Sequence, residues 1–130
     1  MAGRVIREND VERWGNRVGN ERFVTTVGGS GEPVDGVRAG WYRLAAGTSN
    51  PPDVHTVHEM YFIHQGAAQI VLDGEVHRMG PGDTVVVPPG CHHQITNDGE
   101  EELVLVFLFA PPPPARGPDD PPSDYAPLEP

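Results

Sequence analysis

The sequence has no lysine, so all nine of its basic residues are arginines. A Schiff-base lysine and a phosphate-loop lysine are both excluded. It has one cysteine, Cys91, which rules out an intrachain disulfide and a thiolate cage for zinc. Positive charge is scarce: nine basic residues face nineteen acidic ones, for a net charge of −10. A nucleic-acid partner is not expected, because phosphate-backbone affinity needs clustered positive charge. No apolar run approaches the ~20 residues that span a bilayer, so no membrane partner is expected either. The N-terminus, with Arg4, Arg7, Glu8 and Asp10, lacks the apolar core of a signal peptide, and the expected compartment is cytoplasmic.

What is abundant is glycine and proline, sixteen and fifteen in 130 residues. That composition opposes long helices and favours short strands joined by tight turns, within one domain. Strands are expected at Phe23 to Val27, Gly36 to Ala46, Ala67 to Leu72, Glu75 to Met79, Thr84 to Val87, His92 to Thr96 and Leu103 to Phe109. Asp73-Gly74, between two strand-like runs, is a strong hairpin signal. Leu103 to Phe109 is apolar on both faces and reads as a central, covered strand. Residues 1–35 form an N-terminal arm with the first strand or strands. Val5, Ile6 and Val11 there fit a short strand or one helical turn. Residues 36–110 form an all-β sandwich or barrel. In residues 111–130 nine of twenty are proline. This tail is expected to be extended or disordered, without a ladder or a core.

All six histidines lie between His55 and His93, in two segments joined by the hairpin. If Asp53 to His64 is one strand, His55, Glu59 and Tyr61 share a face with Asp53, and His58 and His64 point the other way. His93 then meets His55 and Glu59 from a neighbouring strand. Two imidazoles and a carboxylate make a facial metal set with open positions, which favours Fe(II) and also suits Mn(II), Ni(II), Co(II) or Zn(II). Asp53, His58 and Tyr61 are the candidate catalytic groups, as proton carriers beside the ion. His58 turns inward if a bulge breaks the alternation. Otherwise His58, like His64, His77 and His92, reads as an ordinary surface or satisfied core histidine. Trp41, Tyr42, Tyr61 and Phe62 are candidates for a pocket wall at the barrel mouth, and Arg43 for a two-point contact with a substrate carboxylate.

The second segment carries Gly82, then Pro88, Gly90, His93 and Asn97 at spacings that resemble the second motif of the cupin superfamily. The first segment resembles the second half of that family's first motif through His55, Glu59 and Gly66. Asp53 stands where the family's opening histidine is expected. The resemblance covers about Gly36 to Phe109. It implies a cupin-type jelly roll, or double-stranded β-helix barrel, with a divalent metal on His55, Glu59 and His93 and Asp53 as a weaker fourth ligand or an acid/base. It further implies a homodimer and a small-molecule substrate. The layout is similar to stand-alone cupins of bacterial polyketide and antibiotic pathways. The expected activity is a non-haem iron-type oxygenase, with a metal-dependent cyclase, isomerase or lyase, or a non-enzymatic binding cupin, as alternatives.

Overall fold

The computed structural model describes residues 3–16, 18–29 and 32–113, together with the backbone of 125–127. Among them regular structure is almost entirely β, with one 3-10 turn at Glu8–Asp10. The strands are β1 (Arg13–Asn16), β2 (Glu21–Val27), β3 (Arg38–Leu44), β4 (Glu59–Gln65) and β5 (Ala68–Leu72). They continue as β6 (Glu75–Met79), β7 (Thr84–Val87), β8 (His93–Thr96), β9 (Leu103–Phe109) and β10 (Tyr125–Pro127). No described helix is long and apolar enough to cross a membrane.

The strands make a seven-stranded sheet in the order β10-β1-β2-β3-β9-β4-β7 and a three-stranded sheet β6-β5-β8, with antiparallel pairing throughout. β9 lies between β3 and β4, as its apolar character on both faces predicts. The core runs between the sheets. Leu44, Ile63, Ile70, Ile95, Leu103 and Leu105 are all buried there. Burying each such side chain contributes about 1.5–3 kcal/mol, which is what closes the jelly-roll barrel around its interior. The Asp73-Gly74 turn has φ of 47° and 82°. Positive φ at both central residues gives the primed turn that matches strand twist, so Leu72 pairs with Glu75. Gly66 follows the register shift between Ile63 and Gln65. Its φ is 83°, and a Cβ there would lie 2.8 Å from the Glu102 carbonyl, so only glycine fits.

Ahead of β1 the chain makes the single turn Glu8–Asp10, held by Arg4 to Glu32 at 2.9 Å and by Glu8 to Arg43. The tail departs from expectation. Tyr125–Pro127 pairs with β1 at Asn16, Gly15 and Trp14, although its proline content argues against any ladder. The physical reason is position: β10 is an edge strand, where a missing proline N–H need cost no ladder bond. Residues 114–124 and 128–130, the remainder of the expected disordered segment, lie outside the described residues.

Candidate metal centre

The first histidine segment is not one strand. Asp53 bridges antiparallel to His93, with Asp53 N donating to His93 O at 2.9 Å and His93 N to Asp53 O at 3.0 Å. Residues 49–53 thereby run alongside β8, at the edge of the smaller sheet. The chain then crosses to the larger sheet through residues 54–58, and Glu59 opens β4. His55 sits on this crossing, where its carbonyl accepts from Gly90 N at 2.8 Å. The centre therefore lies at the seam of the two sheets. Asp53 and His93 come from one side, Glu59 from the other, and His55 between them.

The convergence expected of His55, Glu59 and His93 is present, although strand alternation explains only Glu59 and Tyr61. His55 Nε2 lies 3.5 Å from Glu59 Oε1 and 3.5 Å from Asp53 Oδ2. His93 Nε2 lies 3.4 Å from the same Glu59 oxygen. Ligand atoms of Asp53, His55 and His93 all fall within 4.8 Å of one another. These spacings exceed the ~2.7–2.9 Å of a charge-assisted hydrogen bond. They match the roughly 3.0–3.5 Å between neighbouring donors that are each about 2.0–2.2 Å from one shared ion.

The proton inventory favours the same reading. His93 Nδ1 is 3.0 Å from the Cys91 carbonyl, which can only accept, so Nδ1 carries the hydrogen. Neutral His93 then aims the lone pair of Nε2 at Glu59 Oε1, which also accepts from the Tyr61 hydroxyl at 2.7 Å. Two lone pairs facing each other in a buried place require a cation between them, either a proton or a metal. Burial alone would push the Glu59 carboxyl up, but the facing His55 and His93 imidazoles and the Tyr61 hydroxyl outweigh it and hold the group below its ordinary value. Burial would likewise push His93 down, yet Glu59 and the Cys91 carbonyl hold it above the ordinary imidazole value. The donor set fits a divalent ion, with the Cys91 carbonyl orienting one ligand and Tyr61 another.

Tyr61 is buried, and desolvation followed by the Glu59 charge pushes its hydroxyl well above the usual phenol value. It stays protonated and positions Glu59. Asp53 is the accessible member: its side chain is 43% exposed, against 6% for Glu59, 10% for His55 and 3% for His93. Its Oδ1 accepts from Val54 N at 2.8 Å. His58 is exposed and outside the cluster, because β4 begins beside it and turns Glu59 inward. His64, His77 and His92 are exposed too, the surface alternative of the two expected.

The aromatic residues divide by strand parity. Trp41 meets His64 edge-on at 5.6 Å, and Phe62 is 41% exposed, so both face away from the centre. Tyr42 points inward but donates to Glu21 at 2.6 Å. The wall beside the centre is instead Phe109, edge-on to His55 at 5.0 Å, with Phe107 behind it at 6.1 Å. The alternation of β9 carries this signal, since Phe107 and Phe109 share one face. Asn97, fully buried, donates to the carbonyls of Leu44 and Glu101 and accepts from Gly99 N. It ties the end of β8 to β3, a structural task.

The geometry agrees with what comparison with known proteins finds. The family model described as Cupin domain matches residues 40–109. The polyketide cyclase RemF from Streptomyces resistomycificus superposes with a TM-score of 0.72 at 18% identity, covering 88% of this chain and 83% of that one. The DMSP lyase DddQ from Ruegeria pomeroyi gives 0.65 at 27% identity, covering 74% of this chain and 52% of that one. The cupin domain of Schizosaccharomyces pombe Cnp3 gives 0.64 at 21% identity, covering 72% and 66%. The chain thus spans about half the length of the lyase and about two thirds of the Cnp3 chain. With its β-barrel and its clustered imidazoles and carboxylates, this chain belongs to the cupin domain family.

Proposed function

We propose that this protein is a metal-dependent cyclase, isomerase or lyase acting on a small, enolisable organic molecule. The observation that carries the reading is the asymmetry of the cluster. Three donors are enclosed, while the fourth, the Asp53 carboxylate, stands open to an incoming substrate. His55, Glu59 and His93 would hold a divalent ion, which would supply Lewis-acid polarisation of a substrate carbonyl. Asp53 Oδ2 would take the proton beside that carbonyl to give an enolate. The proton then returns at a second carbon in an isomerisation, passes to the alkoxide formed when the enolate carbon bonds to a second carbonyl in a cyclisation, or stays on Asp53 while a leaving group departs with its bonding pair in an elimination. Phe109 and Phe107 keep water from the inner side of the centre. The similarity to a polyketide cyclase and a DMSP lyase supports this class, and the substrate proposed with it is a carbonyl compound of bacterial secondary metabolism. The direct test is solvent-deuterium incorporation into a panel of enolisable carbonyl compounds. Metal-loaded wild type should catalyse exchange, and Asp53→Asn should keep its metal while exchanging at least ~100-fold more slowly. An Asp53→Asn variant with full rate removes the proposed base.

A second reading, a non-haem iron oxygenase, rests on the two-imidazole, one-glutamate set itself, which suits Fe(II) and dioxygen. Substrate-dependent oxygen uptake by the Fe(II)-loaded protein, without carbon-bound exchange, would select it. We further propose a homodimer formed through the outer face of the larger sheet, where Phe62 and Val86 are 41% and 52% exposed. Sedimentation equilibrium showing only monomer at micromolar concentration would exclude it.

A further inference from the structure

Arg43 cannot serve the metal centre. On β3 it has the parity opposite to the inward Tyr42, and it extends over the outer face, 5.9 Å from the Trp41 ring centroid. Arg22 of β2 lies directly opposite Arg43, and Arg13 of β1 lies opposite Val24. These three arginines, with Glu8, Asn9, Phe23 and Val24, line a cleft of about 210 Å³. A third of the molecule's positive charge thus borders one small hollow in a protein whose net charge is −10. Among the described residues Glu8 is the one carboxylate in its lining, and Glu102 pairs with Arg22 beside it. Glu8 takes Arg43 by both oxygens, with Oε1 at 2.5 Å from one terminal nitrogen and Oε2 at 3.3 Å from the other. Arg22 is oriented by Glu102 at 2.5 Å.

We infer that this cleft binds a small multivalent oxyanion, a phosphate or dicarboxylate group, at a site separate from the metal centre. Three guanidinium groups on three adjacent strands carry N–H donors of the kind such groups accept. The two-point grip on Glu8 shows the recognition already at work on a carboxylate. Asn9 adds an amide to the lining. The volume admits one compact group, and the negative field of the whole chain repels a polyanion such as nucleic acid. Glu8, on the single turn of the N-terminal arm, is the internal competitor for Arg43.

The test is a titration of the full-length, metal-loaded protein with inorganic phosphate, and separately with malonate, at fixed ionic strength, following the Nε–Hε NMR signals of its nine arginines. The expected result is saturable shifts of Arg13, Arg22 and Arg43 with one shared Kd for at least one of the two anions. Arg78, which pairs with Asp98 elsewhere on the surface, should not saturate. Arg13→Ala with Arg22→Ala should abolish saturation at Arg43. Glu8→Gln should tighten binding by about fivefold, the scale of one partly exposed ion pair released. His93→Ala should leave the affinity unchanged, which separates this site from the metal centre. Non-saturating shifts of similar size at Arg78 and the three cleft arginines, for both anions, would overturn the inference as ordinary counter-ion condensation. Loss of binding in His93→Ala would overturn it as well, by placing the anion on the metal.

Discussion

A tyrosine–glutamate pair occurs twice in the fold, once buried and once part-buried. Glu59 accepts from Tyr61 at 2.7 Å, and Glu21 accepts from Tyr42 at 2.6 Å. Both glutamates are 5% exposed. Glu21 lies opposite Leu44 at one end of β3, whereas Glu59 lies opposite Phe109 at the other end of the sheet. The difference is in the company. The two enclosed histidines, His55 and His93, both face Glu59. A tyrosine hydroxyl therefore makes a buried carboxylate tolerable in this fold, and the facing imidazoles single out one of the two carboxylates as the proposed cation site.

The largest expected effect comes from breaking that distinction. Glu59→Ala or His93→Ala should weaken divalent-metal binding by at least ~100-fold, measured by calorimetric titration, beyond what loss of a supporting group costs. Glu21→Gln should leave metal affinity within about twofold of wild type, because nothing at that end supplies a ligand to the centre. Equal losses from both variants would erase the comparison. Leu105 sits on β9 between Tyr42 of β3 and Ile63 of β4, so it packs between the two pairs. Leu105→Ala should cost about 2–5 kcal/mol of unfolding free energy, read by chemical denaturation.

The two tyrosines sharpen the contrast on a smaller scale. Tyr61→Phe and Tyr42→Phe should each destabilise by about 1–3 kcal/mol, since each leaves a buried acceptor short of a donor. Only Tyr61→Phe should also weaken metal binding, by about tenfold, because it alone orients a ligand.

A subtler effect is the pH profile of the metal-free protein. The raised His93 contributes stability that is fully present below its ordinary value of 6.5 and is lost as pH rises through the higher folded value. The lowered Glu59 contributes stability present above its ordinary value of 4.5 and lost as pH falls through the lower folded value. Metal-free protein should therefore lose thermal stability on going from pH 6 to 8. Metal-loaded protein should not, because the ion replaces the proton and binds better as imidazole deprotonates. Parallel melting curves for the two forms across that range would contradict this account.

Much of this was legible in the sequence because the signals were local. Asp73-Gly74 dictates its own turn, and the unbroken apolar run of Leu103 to Phe109 has no stable place except between covered strands. The three expected ligands do converge, but Asp53 and His55 do so by a route that alternation does not describe. Asp53 belongs to the smaller sheet through its bridge to His93, a pairing across forty residues of chain that no local pattern encodes. His55 is fixed by a carbonyl bond to Gly90 on a crossing segment. The outward turn of Trp41 and Phe62 follows from parity once β3 and β4 have an inside, and that depends on tertiary packing. The arginine cleft was illegible for a related reason: Arg13, Arg22 and Arg43 meet only after three strands align. Residues Tyr125–Pro127 pair with β1 because an edge strand tolerates proline, which composition alone does not reveal.

Anomalous diffraction from crystals grown with a divalent transition metal tests the core of the account most directly. The account predicts one strong peak within bonding distance of His55 Nε2, Glu59 Oε1 and His93 Nε2, with none at Glu21. Crystals that carry metal elsewhere, with these three side chains turned away from one another, would contradict it.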